Sequence, residues 1–151
     1  MRMLAKFCRQ PSLDRRLLVS AAAVHLFVAI GVRVLPFARV RHALDRLAAF
    51  GSPAPSADDI EARVVRAVRT AALLLPGANC LTEALVAQCL LARHQCEATL
   101  CFGVSRIRPA ERPFDAHAWL ERRGVTVIGG RGIAYDPLAP PSRCVSSPLP
   151  R

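Results

Sequence analysis

The chain has 151 residues, a hydrophobic fraction of 52% and a formal net charge of +10 at pH 7. The length fits one domain, or a small domain with an extension, and the hydrophobic fraction excludes an intrinsically disordered chain. The basic residues form no Lys/Arg block interleaved with aromatic residues, which argues against a nucleic-acid module and leaves anionic lipid or an acidic peptide as candidate partners.

The six cysteines fit neither a disulfide framework nor a zinc site. Cys89 falls in a helical pattern, Cys101 falls in a strand pattern, and no C-x-x-C occurs. Reduced thiols in a cytoplasmic protein are the better interpretation, and no metal site is expected. The remaining cysteines are Cys8, Cys80, Cys96 and Cys144.

The first predicted helix is the apolar run from Leu17 to Val32. It is shorter than the roughly 20 residues of a spanning helix, His25 interrupts it, and no clear small-residue cleavage site follows it. The run therefore predicts a buried or interfacial helix, with contact to a membrane surface left open. A second helical pattern covers residues 37–50.

Two further helices follow a break of turn-forming residues at 51–56. Ser56, with Asp59 three residues later, resembles a capped helix start, and apolar residues then recur at helical spacing up to Pro76. Asn79 is a good N-cap for the next helix, Cys80 to Arg93. That helix is apolar on nearly every face, which is typical of a central, buried helix.

Three strands complete the predicted fold. Alternating apolar residues predict strands at 98–104, 116–121 and 125–128, with a tight turn at 122–124. Helices followed by an antiparallel meander predict an α+β fold, in which a buried helix packs on the sheet.

The composition divides the chain into three parts. An N-terminal helical extension covers residues 1–55, the core covers 56–139, and a Pro- and Ser-rich tail, predicted to be flexible, covers 140–151.

Cys80 and His117 are the candidate catalytic pair. Cys80 lies in the first turn of the buried helix, at the positive end of the helix dipole and beside unpaired N–H groups, which favours the thiolate. A histidine can take the thiol proton and give it to a leaving amine near neutral pH. His117 is the best placed, because it follows in a strand between two alanines, with Trp119 on the same face as a possible cleft wall. The alternative is that Cys80 is a structural thiol with no catalytic role.

The segment NCLTEALVAQCLLARHQCEATLCFGV, followed by FDAHAWLE, resembles the cysteine peptidases that mature lasso peptides. These are typified by the microcin-processing B protein and belong to the transglutaminase-like superfamily. The resemblance covers about residues 57–130 and implies a transglutaminase-like (papain-like) core.

This resemblance implies a leader peptidase that acts on a ribosomally synthesised lasso precursor peptide. Cys80 would attack the carbonyl at the leader–core junction, His117 would transfer the proton, and the backbone N–H of Cys80, next to Asn79, would stabilise the oxyanion. A separate leader-recognition protein and an ATP-dependent lasso cyclase would be the partners. No cofactor is expected, although ATP dependence stays open by resemblance because the chain shows no ATP motif.

The family normally supplies an acid that orients the histidine, and in this sequence more than one group could take that third catalytic role. A hairpin turn at 122–124 would place Glu121 opposite Val125 and His117 opposite Gly129, where an acid is expected. Asp136 is the candidate orienting acid. Asp115 and a backbone carbonyl are the alternatives.

Three rival functions stay open from the sequence. An amide-forming acyl transferase of the same superfamily would use the same Cys and His. A non-catalytic scaffold of the maturation complex would explain Gly129 as a sign of a lost triad. The basic charge alone would also fit a helical protein that binds membranes or nucleic acid.

Overall fold

The computed structural model describes residues 11–51, 53, 56–105, 116–129, 135–137 and 145–146. Four helices come first in this part of the chain: α1 (Ser12–Val34), α2 (Phe37–Ala49), α3 (Ala57–Leu74) and α4 (Cys80–Arg93). Five strands follow: β1 (Thr99–Ser105), β2 (Ala116–Arg122), β3 (Val125–Ile128), β4 (Tyr135–Pro137) and β5 (Val145–Ser146). The predicted α+β class is confirmed.

Strand β1 is the centre of an antiparallel sheet whose order is β3-β2-β1-β4. On the edge of β1 away from β2, β4 pairs with residues 103–105 and β5 pairs with residues 99–100. The sequence predicted β1, β2 and β3 but placed β4 in a loop and β5 in the tail. These two strands have three and two residues, which is too few for apolar alternation to be visible.

The register predicted for the β2–β3 hairpin is wrong by one residue. Val125 pairs with Arg122 rather than Glu121, because the turn consists of Arg123 and Gly124 alone. Both turn residues have positive φ, at 52° and 75°, as a two-residue type I′ turn requires. A shift in the pairing after Leu120 then brings Ile128 opposite that residue.

Gly129 consequently lies against the backbone of Ala118 and Trp119, not opposite His117. A Cβ at Gly129 would come within 2.8 Å of the Ala118 carbonyl oxygen and 2.9 Å of Trp119 Cα. The φ of Gly129 is +85°, a conformation that residues with a side chain rarely adopt. Both observations explain why this position holds glycine.

The core forms around α4, which is enclosed by the other helices on one side and by the sheet on the other. Its residues from Ala84 to Ala92 are all buried, as its largely apolar sequence predicts. One hydrophobic cluster joins α1, α2, α3 and α4 to the first three strands. Apolar packing therefore continues across the proposed boundary between residues 55 and 56, which itself stays a prediction.

Polar contacts fix the ends of the outer helices. Arg63 of α3 pairs with Asp14 at the start of α1, with 2.8 Å between Nη1 and Oδ1. At the opposite end, Gly77 lies against Ala29 and Arg33 of α1. Helices α1 and α3 therefore run parallel to each other, and the segment that leads into α4 runs past the end of α1.

Candidate active site

The start of α4 is fixed by a reciprocal cap. The Asn79 side chain accepts a hydrogen bond from the Thr82 N–H at 2.9 Å, and the Thr82 hydroxyl accepts one from the Asn79 N–H at 2.9 Å. This capping box holds the chain at the point where it turns into the helix. Asn79 is thus the N-cap that the sequence predicted, and Cys80 is the first residue of the helix.

The cap leaves two backbone donors next to Cys80. A helix has four N–H groups at its start without intrahelical partners, and the capping box engages those of Asn79 and Thr82. In the described part of the chain, the N–H groups of Cys80 and Leu81 have no acceptor. Two adjacent donors at the positive end of a helix form a site suited to an oxyanion.

Cys80 is partly exposed, unlike the other cysteines that the structure describes. Cys89, Cys96 and Cys101 are buried. Burial raises the pKa of the Cys89 thiol to about 11, so that it stays protonated at neutral pH. Exposure and helix position therefore single out Cys80 as the nucleophile candidate from the described thiols.

His117 is held by a backbone carbonyl. Its Nε2–H donates to the carbonyl oxygen of Gly129. A carbonyl oxygen only accepts, so this bond places a proton on Nε2. A backbone carbonyl is one of the alternatives for the orienting group, and the Gly129 carbonyl is one partner of His117 in the structure; which group orients the histidine stays a prediction.

Trp119 lies beside His117 on the same face of β2. The two ring centroids are 6.4 Å apart and the ring planes differ by 17°. The Trp119 Nε1–H donates to Glu121 Oε1 at 2.6 Å, which fixes the indole in place. Trp119 therefore forms a wall next to the imidazole.

We expect Cys80 and His117 to lie at the same end of the helix–sheet pair. Gln88 of α4 donates to the Ala98 carbonyl oxygen at 2.9 Å, which aligns the two elements at that level. From there α4 extends about 12 Å back to Cys80. From Ala98, strand β1 extends about 16 Å to Gly103, the residue that pairs with His117.

Cys80 belongs to α4, on one face of the sheet, whereas the His117 side chain lies on the other face of β2. Ala118 and Leu120 of β2 belong to the core cluster with α4, so the alternate residues His117 and Trp119 face away from it. His117 is the second residue of β2, so its ring lies at the rim of the sheet. A catalytic contact with Cys80 would therefore have to be made around that rim, and it stays a prediction.

Asp136 lies on β4, with β1 between it and His117. Its backbone pairs with Val104, whereas His117 pairs with the neighbouring residue Gly103. The backbone thus brings Asp136 to the same end of the sheet, two strands away from His117. Its role as the orienting acid stays a prediction, and Asp115 lies outside the described residues.

No metal centre is formed by the residues that the structure describes: they contain no group of three or more His, Cys, Asp or Glu side chains placed to hold an ion. The chemistry that this end of the molecule supports is that of a thiol, an imidazole and two backbone donors.

Comparison with known proteins gives one match. A family model described as the transglutaminase-like superfamily matches residues 11–139, which include all four helices and the strands β1 to β4. No curated protein and no solved structure matches the chain.

Proposed function

The chain belongs to the transglutaminase-like superfamily, and we propose that it is a cysteine peptidase that removes the leader from a ribosomally synthesised lasso precursor peptide. The superfamily includes cysteine peptidases and acyl transferases. The observation that carries the proposal is Cys80, half-exposed at the first position of a capped helix and next to two free N–H groups.

The proposed reaction begins when Cys80 Sγ attacks the carbonyl carbon at the leader–core junction. The carbonyl oxygen becomes an oxyanion, to which the N–H groups of Cys80 and Leu81 donate hydrogen bonds. The C–N bond then breaks, and the leader stays bound to Cys80 as a thioester. Water hydrolyses the thioester, which releases the leader as an acid and regenerates the thiol.

His117 would carry the proton through both steps. With Nε2 donating to Gly129, Nδ1 would be the ring nitrogen that takes the proton from the Cys80 thiol and gives it to the departing amine. The Gly129 carbonyl then acts as the orienting group, since it fixes the tautomer and stabilises the protonated ring. Trp119 limits the directions in which the ring can turn.

The partners belong to the same proposal. The leader would be presented by a separate leader-recognition protein, and the new core N-terminus would pass to an ATP-dependent lasso cyclase. Transfer of the leader acyl group to an amine instead of water is the alternative chemistry, because both reactions use the same thioester.

The test is a mass-spectrometric cleavage assay with the precursor peptide, its leader-recognition protein and this protein. We expect wild type to release the leader as an acid and Cys80→Ala and His117→Ala to release none. Cys89→Ala is the matched control, because it removes a thiol from the same helix and should retain cleavage. A leader product carrying an amine in place of water would identify an acyl transferase. Full cleavage by Cys80→Ala would refute the nucleophile assignment.

The orienting role of Gly129 is tested by substituting two glycines that both have positive φ. Gly129→Ala forces its Cβ against Ala118 and Trp119, which displaces the carbonyl from His117, and a displacement near 1 Å lowers kcat by about a hundredfold. At Gly124 a Cβ would meet nothing within 4 Å, so Gly124→Ala carries similar backbone strain without the displacement and should keep kcat. If Asp136→Asn lowers kcat and Gly129→Ala does not, the orienting group is Asp136.

A further inference from the structure

Helix α1 has two apolar faces, and only one of them is used by the core. Leu17, Ala21, Val24 and Val28 point into the molecule and are buried. A second stripe at helical spacing faces outward. The outward face of α1 consists of Val19, Ala23, Leu26, Phe27, Ile30 and Val34, all of them exposed.

This outward face is large for a soluble protein. Leu26 is 47% exposed, Ile30 is 52% exposed and Val34 is 69% exposed. At the same end of the molecule as Val34, Leu73 and Leu74 of α3 are also exposed, at 87% and 60%. Continuous apolar surface of this kind marks a contact site for another molecule or a membrane.

Positive charge lies at both ends of the outward face. Arg15 and Arg16 stand at its start and Arg33 stands at its end, and all three are exposed. The single acidic residue of α1, Asp14, is paired with Arg63. An apolar stripe flanked by cations that have no carboxylate partner among the described residues is complementary to a surface that is apolar inside and anionic at its border.

We propose that the outward face of α1 binds an anionic lipid surface and lies in its plane. Its apolar side chains would enter the boundary between headgroups and acyl chains, and the arginines would contact headgroup phosphates. By length and composition, α1 could also cross a membrane, but core helices of soluble proteins share these properties. Here the buried face packs against α3 and α4, so crossing would require α1 to leave the core.

Pairing with a second copy fits the face less well. Side by side and parallel, two such helices would bring Arg16 next to Arg16, and antiparallel helices would bring Arg16 next to Arg33. Either arrangement places like charges together without a carboxylate on the face, and this opposes association. A lipid surface supplies the anions that a second copy lacks.

The contacts of the last turns of α1 indicate how the rest of the protein would be placed relative to the lipid surface. Gly77, three residues before Cys80, lies against Ala29 and Arg33. Ala29 is buried, so binding through the outward face would leave the start of α4 on the protein side of α1, beside its last turns.

The test measures binding of the full chain to vesicles by co-sedimentation. One set contains equal parts of phosphatidylglycerol and phosphatidylcholine, and the other contains phosphatidylcholine alone. We expect wild type to bind the anionic set and to lose affinity as salt is added. The double variant Leu26→Gln/Ile30→Gln should bind about tenfold more weakly, and Val125→Gln, at an exposed apolar position on β3, should bind as wild type does.

A second pair of variants tests the arginines. Arg15→Gln/Arg16→Gln should weaken binding by about twenty-five-fold, at roughly fivefold per arginine near the surface. Arg39→Gln/Arg46→Gln removes the same charge from exposed positions of α2 and should weaken it far less. Equal loss in both pairs would overturn the assignment to α1, and failure of wild type to bind anionic vesicles would overturn lipid as the occupant and favour an acidic protein partner.

This inference is independent of the proposed peptidase activity. Cys80→Ala should bind vesicles as wild type does. Absence of vesicle binding together with normal leader cleavage would overturn the lipid proposal alone.

Discussion

Among the side chains of this molecule, the four described thiols differ most clearly in what they can do. They share one residue type, but Cys80 stands at a helix start and is half-exposed, whereas Cys89 sits in the middle of the same helix and is buried. Position within α4 therefore separates a candidate nucleophile from a core residue.

We expect iodoacetamide at about pH 7.5 to alkylate Cys80 at least a hundredfold faster than Cys89. With a pKa of about 11, Cys89 is a thiolate in roughly one molecule in three thousand at that pH, and it is also inaccessible. Peptide mapping by mass spectrometry gives the rate at each cysteine. Comparable rates in the folded protein would contradict the exposure difference, and denaturation should remove the difference.

His25 is a second residue whose surroundings set its behaviour. It is fully buried in α1, and in the described part of the chain neither of its ring nitrogens has a hydrogen-bond partner. Burial lowers the pKa of the imidazole, and the nearby Glu83 carboxylate opposes part of this effect. The folded protein thus binds the proton less readily than the unfolded chain does.

The stability that depends on neutral His25 is present above about pH 6.5 and is lost as the pH falls through the lowered pKa. We expect the melting temperature of wild type to fall between about pH 7 and pH 5, and to fall less in His25→Leu. At neutral pH the variant should be at least as stable as wild type, because an unsatisfied buried polar group costs about 1–3 kcal/mol. His42→Leu, at an exposed position of α2, should keep the wild-type pH dependence. If the melting temperatures of all three proteins changed with pH in the same way, the result would contradict this account.

At the residue scale, side-chain chemistry and order predicted Cys80, His117 and Asn79, because a nucleophile, a base and a cap each require a particular residue type. A backbone carbonyl could be named only as an alternative orienting group. Every residue has a carbonyl, and the sequence gives no sign that His117 contacts the one of Gly129. Asp136 stays a prediction.

At the scale of elements, α4 depends on its cap both for stability and for the position of Cys80. Asn79→Ala removes the acceptor for the Thr82 N–H and should lower the free energy of unfolding by about 1 kcal/mol. Leader cleavage should fall as well, because the first turn then frays around Cys80.

The matched control for that variant is Ser56→Ala. Ser56 caps α3 through a hydrogen bond from the Asp59 N–H at 3.4 Å, so its loss should lower stability and leave cleavage unchanged. Asn79→Ser, which retains a capping oxygen, should restore both properties. Chemical denaturation and the cleavage assay measure the two quantities. If Ser56→Ala impaired cleavage as strongly as Asn79→Ala, cleavage would follow stability and not the cap of α4.

The helices were predictable because their signals are local. Capping residues, apolar spacing and the break before α3 all act within a few positions of the chain. The hairpin register was not predictable to one residue, because it depends on how many residues the turn uses and on an irregularity after Leu120. Strands β4 and β5 exist only through pairing with β1, which lies at least thirty residues away in sequence.

At the scale of the whole molecule, Arg122 joins the sheet to α3. Its Nη1 donates to Glu61 Oε2 at 2.6 Å and to Asp58 Oδ1 at 3.2 Å, and its side chain is 7% exposed. Arg123 also contacts Asp58, at 3.3 Å, but is 69% exposed. Two adjacent arginines thus share a partner in different surroundings.

We expect Arg122→Ala to lower the free energy of unfolding by about 2 kcal/mol, because it removes charged hydrogen bonds in a largely buried site. Arg123→Ala should change it by less than about 0.5 kcal/mol, since exposed ion pairs contribute little. Urea denaturation of both variants measures the difference. Equal effects would show that the sheet does not depend on the buried contact.

The uniform apolarity of α4 has a consequence for how the chain is made. When Arg93 emerges from the ribosome, α1, α2 and α3 are already available to cover one side of α4, but the strands that cover the other side end about 35 residues later, at Ile128. At about 5–20 residues per second, a ribosome needs roughly two to seven seconds to supply them. Throughout that interval the nascent chain presents a bare apolar helix surface, and chaperone capture or aggregation during translation is most probable then.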